Sequence, residues 1–142
     1  MNWKLACLGV LLMSKTTGAI SSEITVTGIE HKRGGNIIVF IFTDDGFPKQ
    51  HDRAVYQQTL KAQSETMQFH FEVNEEEVAI KVLHDEDENG RVTKNWTGIY
   101  PAEGLGFSNK QKVTLTGAPV YKRSKINASE LGSGLSIEMV YP

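Results

Sequence analysis

The run His84-Asp85-Glu86-Asp87-Glu88-Asn89-Gly90 holds the side chains of this chain best placed to do chemistry. Side-chain oxygens recur at every second residue, at Asp85, Asp87 and Asn89, and Gly90 then lets the backbone bend. A small hard cation needs several oxygen ligands, and alternate residues of a turn point three of them inward. The run matches the first half of a calcium loop, with a backbone carbonyl from Arg91 and a hydroxyl or bridged water from Thr93 next in register. The twelfth position is Trp96, not the bidentate Glu of the helical version. A Ca2+ site here therefore has another architecture, completed by a remote acid such as Glu103 or Asp44. The competing reading is a turn in which Asp85 and Asn89 bond to their own backbone.

Around this run lie further candidates for ligand binding. His84 continues the parity of Val78, Ile80 and Val82 and so sits at the rim of a core face, either as a metal ligand or general base or as a histidine bonded to loop backbone. No second His or Cys stands at ligand spacing, and His31, His51 and His70 are scattered. Trp96, Tyr100 and Phe107 form a stacking platform for a sugar or peptide, or else pin the loop to the sheet. Gly98, Gly104 and Gly106 suit a loop held in specific bends. Glu86, Glu88 and Glu103 would make a hydrolytic pair only across a cleft, with the carboxyls about 5 to 10 Å apart. The chain has no serine elbow, P-loop or His-Glu-x-x-His motif, and it reads as a non-enzyme.

The elements that must position these residues are short strands. Ile24, Val26 and Gly28 alternate with threonines, a strand with one wet face. Gly34-Gly35 carries a hairpin signal. Asn36 to Thr43 is apolar on both parities and reads as a central strand buried on both faces. Residues 52–62 fit either a short helix or an irregular strand. Met67, Phe69, Phe71 and Val73 alternate cleanly, and Val78, Ile80 and Val82 lead straight into His84. A loop of about 25 residues follows, too apolar for simple disorder. Strands are expected again at 112–116, at 120–126 and at 135–141, where Leu135, Ile137, Met139 and Tyr141 share a parity. About seven short strands with turn-rich spacing predict an all-β fold, a single antiparallel β-sandwich with one long ordered loop.

Residues 1–19 read as a secretory signal peptide. Lys4 begins it, the apolar run Leu5 to Met13 follows, and Thr17-Gly18-Ala19 offers small residues for cleavage before Ile20. The run is too short to span a bilayer, which takes roughly 20 apolar residues. The remaining domain, residues 20–142, holds no cysteine and must rest on a packed core. Without Lys4 and Lys15 it keeps 13 basic against 17 acidic residues, a formal charge of −4. That balance argues against nucleic acid as a partner, which needs a basic surface.

The stretch from His84 to Asn109 resembles a bacterial family of exported proteins catalogued as domain of unknown function 2141. The family pattern is His-Asp-x-Asn-x-Asn-Gly, then Gly-x-Pro-x-Glu-Gly, then Gly-Phe-Ser-Asn. Its counterparts here are His84-Asp85 with Asp87, Asn89 and Gly90; Gly98 with Pro101, Glu103 and Gly104; and Gly106-Phe107-Ser108-Asn109. Asp87 replaces the usual Asn, Tyr100 is inserted before Pro101, and Glu75-Glu76-Glu77-Val78 replaces a Pro-Gly-x-Tyr lead into the following strand. The resemblance implies a sandwich of the transthyretin-like or carboxypeptidase-regulatory type, and implies no activity.

These observations predict a periplasmic or secreted, non-enzymatic binding or accessory module of the cell envelope. Its partner would be an envelope protein, peptide or glycan, and its acidic loop would hold Ca2+ structurally. The alternatives are an envelope structural protein that pairs through a sheet edge and, from another class, a hydrolase of envelope glycan or peptide.

Overall fold

The computed structural model describes residues 18–98 and 100–142. The proposed signal segment lies almost wholly outside the described residues. Eight strands form two sheets among them, an all-β sandwich. In chain order they are β1 (Ile20–Thr27), β2 (Asn36–Phe42), β3 (Tyr56–Lys61), β4 (Met67–Val73), β5 (Glu77–Asp85), β6 (Leu105–Phe107), β7 (Ile126–Asn127) and β8 (Leu135–Glu138). One sheet has the order β4-β1-β8 and the other β3-β2-β5-β6, with the short β7 beside the start of β5. No helix among the described residues is long and apolar enough to cross a membrane.

Periodicity sets most of this. In β1 the inward residues Ile24 and Val26 are buried while their neighbours stay partly wet, and Phe69 and Val73 of β4 face the same interior. From the opposite sheet Ile37, Val39 and Ile41 of β2 and Val78, Ile80 and Val82 of β5 complete the core. β2 lies between β3 and β5, so its backbone is paired on both sides. Its even residues Ile38, Phe40 and Phe42 form a second apolar layer with Leu83, Leu105 and Phe107, roofed by Phe47, Ala54, Val92 and Val113. The double-sided apolar run thus marks a sheet covered by a second sheet on one face and by loops on the other.

Several expectations are corrected. The sandwich is not wholly antiparallel, because β8 pairs with β1 in parallel. Gly34-Gly35 makes no hairpin: β1 pairs with β4 and β8, so these glycines carry the chain across to the other sheet. Of the two readings of residues 52–62 the strand holds, as β3, after a 3-10 turn (His51–Arg53) that ends inside the range. At 112–116 there is a turn closed by mutual hydrogen bonds between Thr114 and Gly117, with Val113 against the second layer and Leu115 exposed. The 120–126 segment opens as the helical turn α1 (Tyr121–Ser124) before β7. Strand β8 stops at Glu138, yet Val140 exchanges two backbone hydrogen bonds with Leu105 (2.8 and 2.9 Å) and joins the sheets along one side.

Candidate functional site

Pairing fixes the root of the acidic loop. Asn36 stands opposite Asp85 and Ile37 opposite His84, so the loop leaves β5 where β2 begins. Strand alternation sends His84 to the inner face and Asp85 to the outer one.

His84 is 0 % exposed. The Gly34 carbonyl can only accept, so His84 Nε2 donates to it (2.6 Å), and Nδ1 accepts the Tyr141 hydroxyl (2.6 Å). That hydroxyl also accepts the Glu30 N–H (3.0 Å), and the Arg33 guanidinium lies 4.8 Å from the ring centre. His84 therefore ties the chain crossing to the C-terminal segment and presents no face to a ligand. Gly104 serves the same arrangement by close approach. A Cβ there would lie 2.4 Å from the Tyr141 ring, so the small residue makes room for the tyrosine rather than for a bend. Tyr141→Phe, which orphans His84 Nδ1 and the Glu30 N–H, is expected to cost about 1–2 kcal/mol. The midpoint of chemical unfolding checks this.

Three carboxylates meet above this base. Asp85, Asp87 and Glu103 bring oxygens within 4.8 Å of one another, with Asp85 and Glu103 buried and Asp87 exposed. Asp85 accepts the N–H groups of Asn89 (3.1 Å) and Gly90 (2.7 Å). Glu103 accepts those of Glu86 (3.2 Å) and Thr93 (3.1 Å). Asp87 takes the Thr93 hydroxyl (2.7 Å) and the Asn89 amide (3.1 Å). Burial is the main reason that Asp85 and Glu103 hold their protons more tightly than ordinary carboxyls. The Thr93 hydroxyl bond is the main reason that Asp87 gives its proton up more readily. The site can thus carry a cation among carboxylates, and without one it is a bonded acidic turn.

The remote acid is Glu103; Asp44 follows β2 at its far end and takes no part. Asn89 spends its side-chain oxygen on the N–H of Arg91 (2.8 Å), an Asx turn beside the carboxylates. Glu86 turns away to pair with Arg33 (3.2 Å). The aromatic trio does not converge. Phe107 is buried edge-on to Phe47, Tyr100 is partly exposed at a cavity mouth, and Trp96 is 95 % exposed. They form neither a platform together nor a common pin for the loop.

On the same outer face of β5 stands a pair that the sequence reading did not single out. Lys81, 4 % exposed, donates to the Pro48 carbonyl (2.9 Å) and to His51 Nε2 (2.9 Å). His51 stacks on Phe40 with ring centres 4.1 Å apart. Its Nδ1 donates to the Gly90 carbonyl (3.0 Å), linking the pair to the acidic loop. Burial first, and the charge of Lys49 second, lower the Lys81 ammonium to about 8. Burial, then Lys81, likewise lowers His51. The available signal was a lone lysine on the parity of Ala79 and Leu83 inside an apolar strand.

The model of the family described as an uncharacterised protein conserved in bacteria (DUF2141) matches residues 24–133. No curated protein and no solved structure matches the chain.

Proposed function

The chain belongs to the DUF2141 family, and from that premise we propose that it is an exported, non-enzymatic binding module of the cell envelope whose acidic loop is ordered by Ca2+. The observation that carries the calcium reading is the meeting of Asp85 and Asp87 with Glu103, which lies well over ten residues further along the chain. Each carboxylate bonds to N–H or O–H groups but keeps lone pairs for a cation. A cation would also offset the burial and mutual repulsion that make Asp85 and Glu103 reluctant to ionise. The ion's role is structural: it holds residues 85–103 against the sheet. Export rests on the signal pattern of residues 1–19, and β1 begins at Ile20, the residue expected to follow the cut.

Calcium sites of extracellular modules bind at about 10⁻⁴ to 10⁻³ M. At 10 mM Ca2+, native-state binding then adds about 1.4–2.7 kcal/mol. The expected result is a rise of several degrees in the melting midpoint over an EDTA-treated sample, larger than with equal Mg2+ and much smaller in Asp87→Ala, which removes a ligand oxygen. Equal midpoints in Ca2+ and EDTA would leave residues 85–103 as a hydrogen-bonded turn without an ion.

A further inference from the structure

We infer that the cavity on the outer face of β5 and β6 binds an amphipathic carboxylate, a single negative head on an aliphatic body, with the head seated at Lys81, beside His51. This goes beyond the calcium reading and does not depend on it.

The cavity measures about 800 Å³, the size of a small-molecule site. The second apolar layer supplies its floor through Leu105 and Phe107, and Val113 extends the apolar wall, with the exposed Leu115 at the rim. Its charges are segregated: Lys49, Lys81, Arg91 and Lys94 line it with His51, against the single acid Asp52. That excess of positive charge stands in a domain whose formal charge, residues 20–142, is −4. The cavity selects negative charge while the acidic loop beside it does the reverse.

Lys81 sets the head group. Of its three ammonium protons, one goes to Pro48 and one to His51, and the third has no partner among the described residues. No carboxylate among them forms an ion pair with it. A buried cation with neutral partners only is costly, and an incoming carboxylate would supply the missing charge and acceptor together. One buried ammonium matches one negative charge, which favours a carboxylate over a dianionic phosphate. The apolar walls then need an aliphatic body, so a short acid such as acetate would leave them bare.

The experiment is calorimetric titration of the purified protein with decanoate in EDTA, so that calcium plays no part, with decanol and acetate as comparators. Saturable decanoate binding is expected, at least about tenfold tighter than decanol or acetate. Lys81→Met, which keeps the aliphatic stem, is expected to weaken it about tenfold or more. Binding of decanol as tight as decanoate, no saturable decanoate binding, or equal affinity in folded Lys81→Met would overturn the assignment. Should that variant not fold, the exposed pair decides: a three- to tenfold loss in Arg91→Ala with Lys94→Ala supports the site, and unchanged affinity overturns it. Calcium stabilisation and decanoate binding fail separately, since Asp87→Ala bears on the first and Asp87 does not line the cavity.

Discussion

Replacing Lys81 by methionine is expected to stabilise the protein by about 1–3 kcal/mol at pH 7. The ammonium is buried among Phe40, Pro48 and His51, and its ordinary value of 10.5 falls to about 8. A fall of that size is worth about 3 kcal/mol against the charged form in the folded state, as an upper bound. The sign across pH follows from the direction. Between pH 8 and 10.5 the unfolded lysine binds a proton that the folded one has released, so stability rises with pH there. Below pH 8 both states are protonated and the full penalty remains. The charged groups around Lys81 are Lys49, His51 and Asp52 from one loop and Arg91 and Lys94 from the other. Only Asp52 is acidic, and it offers no ion pair. Melts of wild type and Lys81→Met from pH 7 to 10.5 check this: the gap between them should be widest at pH 7 and shrink above pH 8. A destabilised variant, or a gap independent of pH, would mean that the lysine holds the 44–55 loop in place through its two hydrogen bonds.

A residue that weakens the fold while facing a cavity is where stability and function pull apart. The sandwich core does not need it. Ala79 and Leu83, its neighbours on the same face, are apolar, and a third apolar side chain there would pack against Phe40 and Phe107. The stability gain and the loss of decanoate binding in Lys81→Met thus come from one atom group and have opposite signs. A purely structural lysine would give a loss in both.

Much of this was legible in the sequence, and the limits are physical. The one-sided alternation of β1 and β4 and the two-sided run of β2 report burial directly, so the layered all-β architecture could be read. Alternation carries no strand direction, so the parallel pairing of β8 with β1 could not. Asp85 and Asp87 announced themselves by spacing within one turn, and Glu103 was one of two expected acids. Lys81 and His51 lie 30 residues apart and meet only because a loop folds over the sheet. Val113 and Leu115 alternate like a strand, but only Val113 finds a surface to cover, and Leu115 stays in water. The parity of His84 gave its face, but it is fully buried rather than at the rim, and its partners Gly34 and Tyr141 come from distant segments.

Gly35→Ala is expected to cost about 2–5 kcal/mol and to loosen the acidic loop. Two effects add. The backbone at Gly35 has φ +69°, a conformation that costs an L-residue about 1–2 kcal/mol. A Cβ there would also lie 2.2 Å from the Asp85 carbonyl oxygen and 2.6 Å from Glu86 Cα. Those atoms are backbone and cannot rotate aside, so β2 and the end of β5 must separate, at about 1–3 kcal/mol more. The separation falls where Asn36 faces Asp85, where Gly34 accepts from His84 and where Glu86 donates to Glu103. Gly90→Ala is the control. It has nearly the same φ, +72°, but no atom within 4 Å of the added methyl, and it should cost only the conformational part. The difference between the two variants in chemical unfolding isolates the collision, and hydrogen exchange at Glu86, Asn89 and Gly90 reports whether the carboxylate cluster comes apart with it. Equal costs would mean that the strands separate freely here and that the loop is anchored from the Glu103 side alone.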